Sequence, residues 1–179
     1  MMFDQTNLQP VVTTARLALR PLREADRGLL QLYGDDIHVA RNTTKIPHPL
    51  PPGAIEAFIA RAQADDRDED FWAMDGSIAG LPDLVGVIGL ERMDRSQSEI
   101  GYWVAPAFWN AGLASEAVEG LVAANPHKAR TIFGSVFQDN PASARVLTHA
   151  GFEYLGDAEA FSVARDANVA TWTYIIKLD

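Results

Sequence analysis

The residues best suited to chemistry in this chain lie in the stretch Ser98–Ala117, SEIGYWVAPAFWNAGLASEA. It reads as a strand that breaks into a glycine-containing turn and re-emerges as the start of an amphipathic helix. The two-residue period of a strand puts Glu99, Gly101 and Trp103 on one face and Ile100, Tyr102 and Val104 on the other. One face therefore offers a carboxylate able to accept a proton, a position without a side chain where a ligand can come close, and an aromatic wall. Beyond Pro106, the small residues Ala111, Gly112 and Ala114 leave the free amide hydrogens of the helix start open to an anion such as a phosphate. A second cluster, Asn140, Ser143, Arg145 and the pair Gly151 and Phe152, belongs to another helix. Capping by itself accounts for Asn140, and first-turn placement for Ser143.

These residues need a scaffold, and the pattern supplies one. Ala15 to Leu19 reads as a strand closed by Arg20-Pro21, and Ala25, Leu29, Leu32 and Tyr33 form the stripe of a helix over Glu24 to Tyr33. Thr43 to Gly53 holds four prolines in eleven residues and reads as an ordered loop able to wall a pocket. Ile55, Phe58, Ile59 and Ala62 repeat as one face of a helix that ends in the charged run Asp65 to Asp70, expected to be solvated surface. Phe71 to Asp75 and Leu84 to Arg92 read as a hairpin, followed by the strand Gln97 to Val104. Ala114, Ala117, Val118, Leu121 and Val122 line a helix stopped at Asn125-Pro126, and Thr131 to Phe137 is the next strand. Right-handed crossover makes the strands on either side of that helix parallel, so the two helix starts, near Gly112 and Asn140, open at the same edge of the sheet. Strands at Phe152 to Gly156 and Ala170 to Lys177 finish the chain. The class is α/β (α+β): a mixed, mostly antiparallel sheet of about seven strands, one central parallel β-α-β crossover and about four helices.

Composition bounds the function. With 179 residues, 47% hydrophobic and 22% charged, the chain suits one domain, expected over residues 13–179 behind a flexible leader at 1–12. No apolar run approaches a membrane span and the N-terminus lacks the layout of a signal peptide, which points to the cytoplasm and no membrane partner. Zero cysteines exclude disulfides and thiolate nucleophiles, so any thiol chemistry arrives on a ligand. A net charge of -9 argues against nucleic acid as partner, and makes Trp72, Trp103, Trp109 and Trp172 core or pocket walls rather than a stacking platform. His38, His48 and His127 lack metal-ligand spacing and read as loop or surface residues, with no metal site. Glu116 and Glu119 read as the polar face of their helix.

The two clusters together resemble the GNAT superfamily of N-acetyltransferases, and within it the branch of the RimJ and RimL type protein N-terminal acetyltransferases. The phosphate-loop pattern Q/R-x-x-G-x-G/A is met with Trp109 first, Gly112 fourth and Ala114 sixth. The pattern N-x-x-S-x-R-V-L with a later G-F is met at Asn140, Ser143, Arg145, Val146, Leu147, Gly151 and Phe152. TTARLALRPLREAD and IPHPLPP also look like that branch, so the resemblance runs from about Thr13 to the C-terminus.

The resemblance implies a GNAT-like fold, acetyl-CoA as donor and a primary amine as acceptor. It places the pyrophosphate on the amides of Asn110, Ala111, Gly112, Leu113, Ala114 and Ser115, and the pantetheine along Trp103, Val104 and Ala105 between splayed parallel strands. Asn140 then lies against the pantetheine and Ser143 near the thioester sulfur. In that frame Glu99 is the candidate general base, directly or through water, and Ser143 the hydroxyl that protonates or hydrogen-bonds the departing thiolate. Two positions depart from the family: Asn110 and Ala111 stand where glycine and a basic residue are usual, removing one phosphate-pairing charge, and His149 stands where lysine is frequent. The α-amino group of a protein or peptide is the leading acceptor. A polyamine, amino acid or aminoglycoside is the alternative, and a non-catalytic acetyl-CoA-sensing module or a homodimer stays open.

Overall fold

The strand expected at residues 97–104 is the fifth of eight in the computed structural model, which describes residues 9–178. The strands are β1 (Val12–Thr13), β2 (Ala18–Pro21), β3 (Glu69–Asp75), β4 (Gly86–Met93), β5 (Gln97–Val104), β6 (Thr131–Phe137), β7 (Glu153–Ser162) and β8 (Ala167–Lys177). They form one sheet in the order β1-β2-β3-β4-β5-β6-β8-β7. Every pairing is antiparallel except β5 with β6, whose crossover runs through a helix as expected. The helices are α1 (Arg27–Gly34), α2 (Ile37–Ala40), α3 (Ala54–Gln63), α4 (Leu113–Ala124) and α5 (Pro141–His149). The architecture is the expected one with β1 and α2 added.

Alternation along β5 separates two cores. Ile100 and Val104 join Leu113, Val118 and Leu121 of α4 and Leu147 of α5 on one face of the sheet. Trp103 packs on the other, against the cluster of Leu30, Ile55 and Ile59 from α1 and α3 with Val87 from β4. Burial of these side chains is the main term holding both helix pairs to the sheet, at about 25 cal/mol per Å² of apolar surface. Residues 9 and 10 are tied down too. Gln9 and Pro10 lie within the expected leader, yet Gln9 Nε2 donates to the Phe71 carbonyl at 2.6 Å and the indole of fully buried Trp72 donates to the Pro10 carbonyl at 2.8 Å. Residues 1–8 of that leader lie outside the described residues.

The run expected to be solvated between Asp65 and Asp70 ends in a buried ion cluster. Asp70, 3% exposed, takes bonds from Arg67 at 2.7 Å, Arg92 at 2.9 Å and His127 at 2.7 Å. The other ring nitrogen of His127 pairs with the buried Ser98 hydroxyl at 2.8 Å. His127 lies in the loop between α4 and β6, as a loop histidine was expected to, but its side chain is buried and not on the surface: it knots β3 to the start of β5. Burial pushes the Asp70 carboxyl up, but the bonds from His127 and Arg67 and the charge of Arg92 outweigh it and bring the pKa from 3.8 to about 2. A depressed carboxyl stabilises the fold fully above its unfolded value and loses that contribution as pH falls through the folded one, here between about pH 4 and pH 2. His127→Ala strips partners from both Asp70 and Ser98, so urea unfolding at pH 7 should show a loss of about 2 kcal/mol. A loss under half that would mean that water replaces the ring.

Candidate active site

The two strands that matter part company halfway along. β5 and β6 pair only from Gln97 with Thr131 to Ile100 with Gly134, although β5 runs on to Val104 and β6 to Phe137. A wedge opens between them, and residues 101–104 present backbone groups to it. The helix starts of α4 and α5 both face this end of the sheet, as the topology requires. Trp109 takes one of the exposed groups: its indole donates to the Val104 carbonyl at 2.6 Å.

At the start of α4 the chain turns through two left-handed residues, Asn110 with φ 61° and Gly112 with φ 77°. After glycine, asparagine is among the residues that tolerate this region best, which explains how Asn110 can stand where glycine is usual. Among the described residues the amides from Asn110 to Ser115 make no backbone hydrogen bond, and the helical series begins when Glu116 donates to the Gly112 carbonyl at 3.1 Å. A row of unspent donors at a helix N-terminus is an anion site in the making.

At the start of α5, Asn140 holds the N-cap position without capping through its side chain. Among the described residues the amide of that side chain has no hydrogen-bond partner, contrary to the capping explanation. A clamp fixes its surroundings. Asp139 is held by Arg165 of the β7–β8 turn at 2.6 and 3.0 Å and by Arg41 at 3.5 Å, while Arg165 also bonds the Arg41 carbonyl and lies over the Phe137 ring at 4.9 Å.

Ser143, in the first turn of α5, meets a partner that the sequence reading overlooked. Its hydroxyl donates to the Tyr102 hydroxyl at 2.8 Å, and Tyr102 donates back to the Ser143 carbonyl at 3.0 Å. Burial raises the Tyr102 pKa, with only partial relief from the Ser143 bond, so the phenol keeps its proton. The signal was present in the alternation of β5, which turns Tyr102 toward the face that α5 covers.

Glu99 projects to the opposite face. It is half-buried, has no hydrogen-bond partner among the described residues, and its pKa is raised by burial and by Glu91, against the pull of Lys45. Glu69, Glu91 and Glu99 stand abreast on β3, β4 and β5. Lys45, from the proline-rich loop, reaches Glu69 at 3.4 Å and Glu91 at 3.7 Å.

Two cavities connect these parts. One of about 660 Å³ runs along the start of α4, with Asn110 and Gly112 to Ser115 in its wall, and reaches Arg145 and His149. The other, of about 790 Å³, is walled by the Thr43–Pro47 part of the loop, Phe58, the Glu69–Glu91–Glu99 row and Gly101. They share Asn42, Tyr102, Trp103, Asn140 and Ser143. The first cavity has the shape and donors for a phosphate-bearing arm, and the second leads to a carboxylate.

Residues 16–153 match the acetyltransferase (GNAT) domain. The chain belongs to the GNAT acetyltransferase family. An uncharacterised N-acetyltransferase of Bacillus subtilis (strain 168), YoaA, is 28% identical over 156 residues, 82% of this chain and 85% of its own length. In fold the chain is similar to Mycobacterium smegmatis RimJ in complex with CoA-disulfide, with a TM-score of 0.78, 19% identity and coverage of 94% of this chain and 87% of that one. It is also similar to the microcin C7 self-immunity acetyltransferase MccE in complex with acetyl-CoA and AMP, with a TM-score of 0.80, 15% identity and coverage of 97% and 100%. As a GNAT enzyme the protein takes acetyl-CoA as its donor.

In the wall of the second cavity, Gly101 is the bare point. A Cβ built there meets nothing within 4 Å, so a larger side chain enters the cavity instead of the core. Gly101→Val should leave the melting temperature unchanged or higher, since β-branched residues favour strands. Steady-state kinetics should show kcat/KM for the acceptor down about tenfold, in the range by which a few misplaced methyl groups discriminate in a pocket. Unchanged kinetics would place the acceptor elsewhere.

Proposed function

We propose that this enzyme transfers the acetyl group of acetyl-CoA to a primary amine by direct attack on the thioester, with Glu99 as base and Ser143 as the group that eases departure of the thiolate. The observation that carries the reading is the meeting of the two cavities at Tyr102, Asn140 and Ser143, with unspent amides at the far end of one and Glu99 in the wall of the other. The coenzyme phosphates rest on the amides of Asn110 to Ser115. Its arm follows Trp103 to Ala105 through the wedge beside Asn140.

The acceptor arrives as an ammonium ion and must shed a proton before it has a lone pair. Glu99 takes that proton, directly or through one water, and its raised pKa makes it a better base than an exposed carboxylate. The C–N bond forms as the carbonyl oxygen gains the negative charge, which β5 amides at the wedge offset. The C–S bond then breaks, the sulfur leaves as a thiolate, and the remaining extra proton on nitrogen goes to solvent. The Ser143 hydroxyl turns its one proton from the Tyr102 oxygen to the departing sulfur and donates a hydrogen bond to it.

For the acceptor we favour the α-amine of a protein or peptide, because the wall of the second cavity runs from Ser143 past Glu99 as far as Arg61 and Asp66, more surface than one small amine covers. The row of Glu69, Glu91 and Glu99 favours a second reading, a small polycationic amine. Incubation with acetyl-CoA and a panel of peptides and small amines, following free thiol, separates them. Turnover with peptides carries the first, turnover with polyamines alone the second. Tight coenzyme binding without turnover of any acceptor would leave a sensor.

A further inference from the structure

The phosphate loop from Asn110 to Ser115 contains no basic residue. A cation nevertheless stands beside it, delivered from the other end of the chain. Arg16 lies in the tight turn between β1 and β2, where Thr14 and Leu17 bond one another through the Thr14 amide and hydroxyl. Its Nη1 donates to the Ala111 carbonyl at 2.8 Å and its Nε to Glu116 Oε1 at 2.8 Å. Its Nη2 has no hydrogen-bond partner among the described residues and stands 3.4 Å from where a Gly112 Cβ would be.

The same turn disarms a charge that would oppose the coenzyme. Glu116 sits in the first turn of α4, where an unpaired carboxylate would repel a phosphate on the adjacent amides. Burial pushes its pKa up, but the Thr14 hydroxyl at 2.5 Å, the Arg16 amide at 2.8 Å and the Arg16 guanidinium outweigh that and hold the carboxyl below its ordinary value. The turn reaches α4 only because Gly120 lacks a side chain: a Cβ there would stand 2.6 Å from Thr14 Cγ2. Four hydrogen bonds thus join residues 14–16 to residues 111–116, about a hundred positions away in the chain.

We propose that Arg16 is a positioning residue for the donor: it holds the phosphate loop from behind through the Ala111 carbonyl and cancels the Glu116 charge, so that a loop without a cation of its own meets no opposing carboxylate. The proposal rests on the phosphate placement given above, and the two are separable by experiment. The probes are acetyl-CoA and S-acetyl-pantetheine, the same thioester arm without nucleotide or phosphates. The wild type should show a lower KM for acetyl-CoA than for the short donor; equal values would overturn the phosphate placement.

Given that preference, Arg16→Ala should raise the KM for acetyl-CoA about tenfold, the scale of a charge-assisted hydrogen-bond pair. The KM for S-acetyl-pantetheine and the kcat with either donor should hold within about twofold. Arg16→Lys, which keeps the charge but loses the fork, should fall between. Adding Glu116→Gln to Arg16→Ala should recover about threefold in KM, because the charge that Arg16 cancelled is gone. A loss shared equally by both donors would reduce Arg16 to a structural residue, an intact donor preference would remove it from the site, and no recovery in the double variant would overturn the charge-cancelling role.

Discussion

Glu99→Gln should lower kcat/KM for the acceptor at pH 6 to 7 by about 100-fold, within the range attributed to a positioned general base. The substitution keeps size and hydrogen-bonding shape, so folding and acetyl-CoA binding should stand. The pH dependence is the decisive readout. A carboxylate base works only when ionised, so the wild-type rate must fall as pH drops through the Glu99 pKa. Burial and Glu91 raise that pKa above the ordinary 4.5, which moves this acid limb toward neutrality. In the variant the limb disappears and the rate follows the fraction of acceptor already deprotonated in solution. The deficit should therefore be largest at low pH and close as pH approaches the pKa of the acceptor amine. A profile of unchanged shape would remove Glu99 from the mechanism. Lys45 offers an internal control, since it opposes the rise: Lys45→Met should shift the acid limb further upward without deleting it.

Much of the frame around β5 is legible in the sequence, because it is built from local periods. The alternation of Glu99, Gly101 and Trp103 against Ile100, Tyr102 and Val104 is a property of one strand, and it sorts into the two cores as written. The helix starts at Gly112 and Asn140 carry their own signals in glycine, proline and small residues. What stayed hidden depends on contacts between distant segments. Tyr102 was visible as a residue, but its pairing with Ser143 arises only when α5 docks 41 positions later. Arg16 looked like a strand residue, Glu116 like helix surface and His127 like a loop histidine; each takes its role from a partner at least 29 positions away. The helix α2 is too short for its period to show. The strand β7 runs past Gly156 as an edge strand exposed on both faces, so beyond that point no hydrophobic alternation marks it.

The pairing of Tyr102 with Ser143 sets the second large effect. Ser143→Ala should cut kcat by about 100-fold, comparable to loss of one donor from a site of developing negative charge, while the KM for acetyl-CoA changes by less than about threefold. The hydroxyl has nothing to gain from the neutral thioester and meets full demand only when sulfur carries charge, so its loss belongs to turnover. The opposite split would make Ser143 a binding residue. Tyr102→Phe should cost less, about tenfold in kcat, because the phenol acts through Ser143 by bonding its carbonyl and holding its hydroxyl oxygen in place until the one hydroxyl proton turns from the phenol to the sulfur. Burial raises the Tyr102 pKa, which makes the phenol a poor acid: giving its proton to the thiolate would leave a buried phenolate. If Tyr102→Phe proved as damaging as Ser143→Ala, the phenol would instead touch the sulfur, and Ser143 would be what holds it there. The double variant separates the two arrangements: a hydroxyl that acts only through another adds nothing once the other is gone, so it should match whichever single variant is worse.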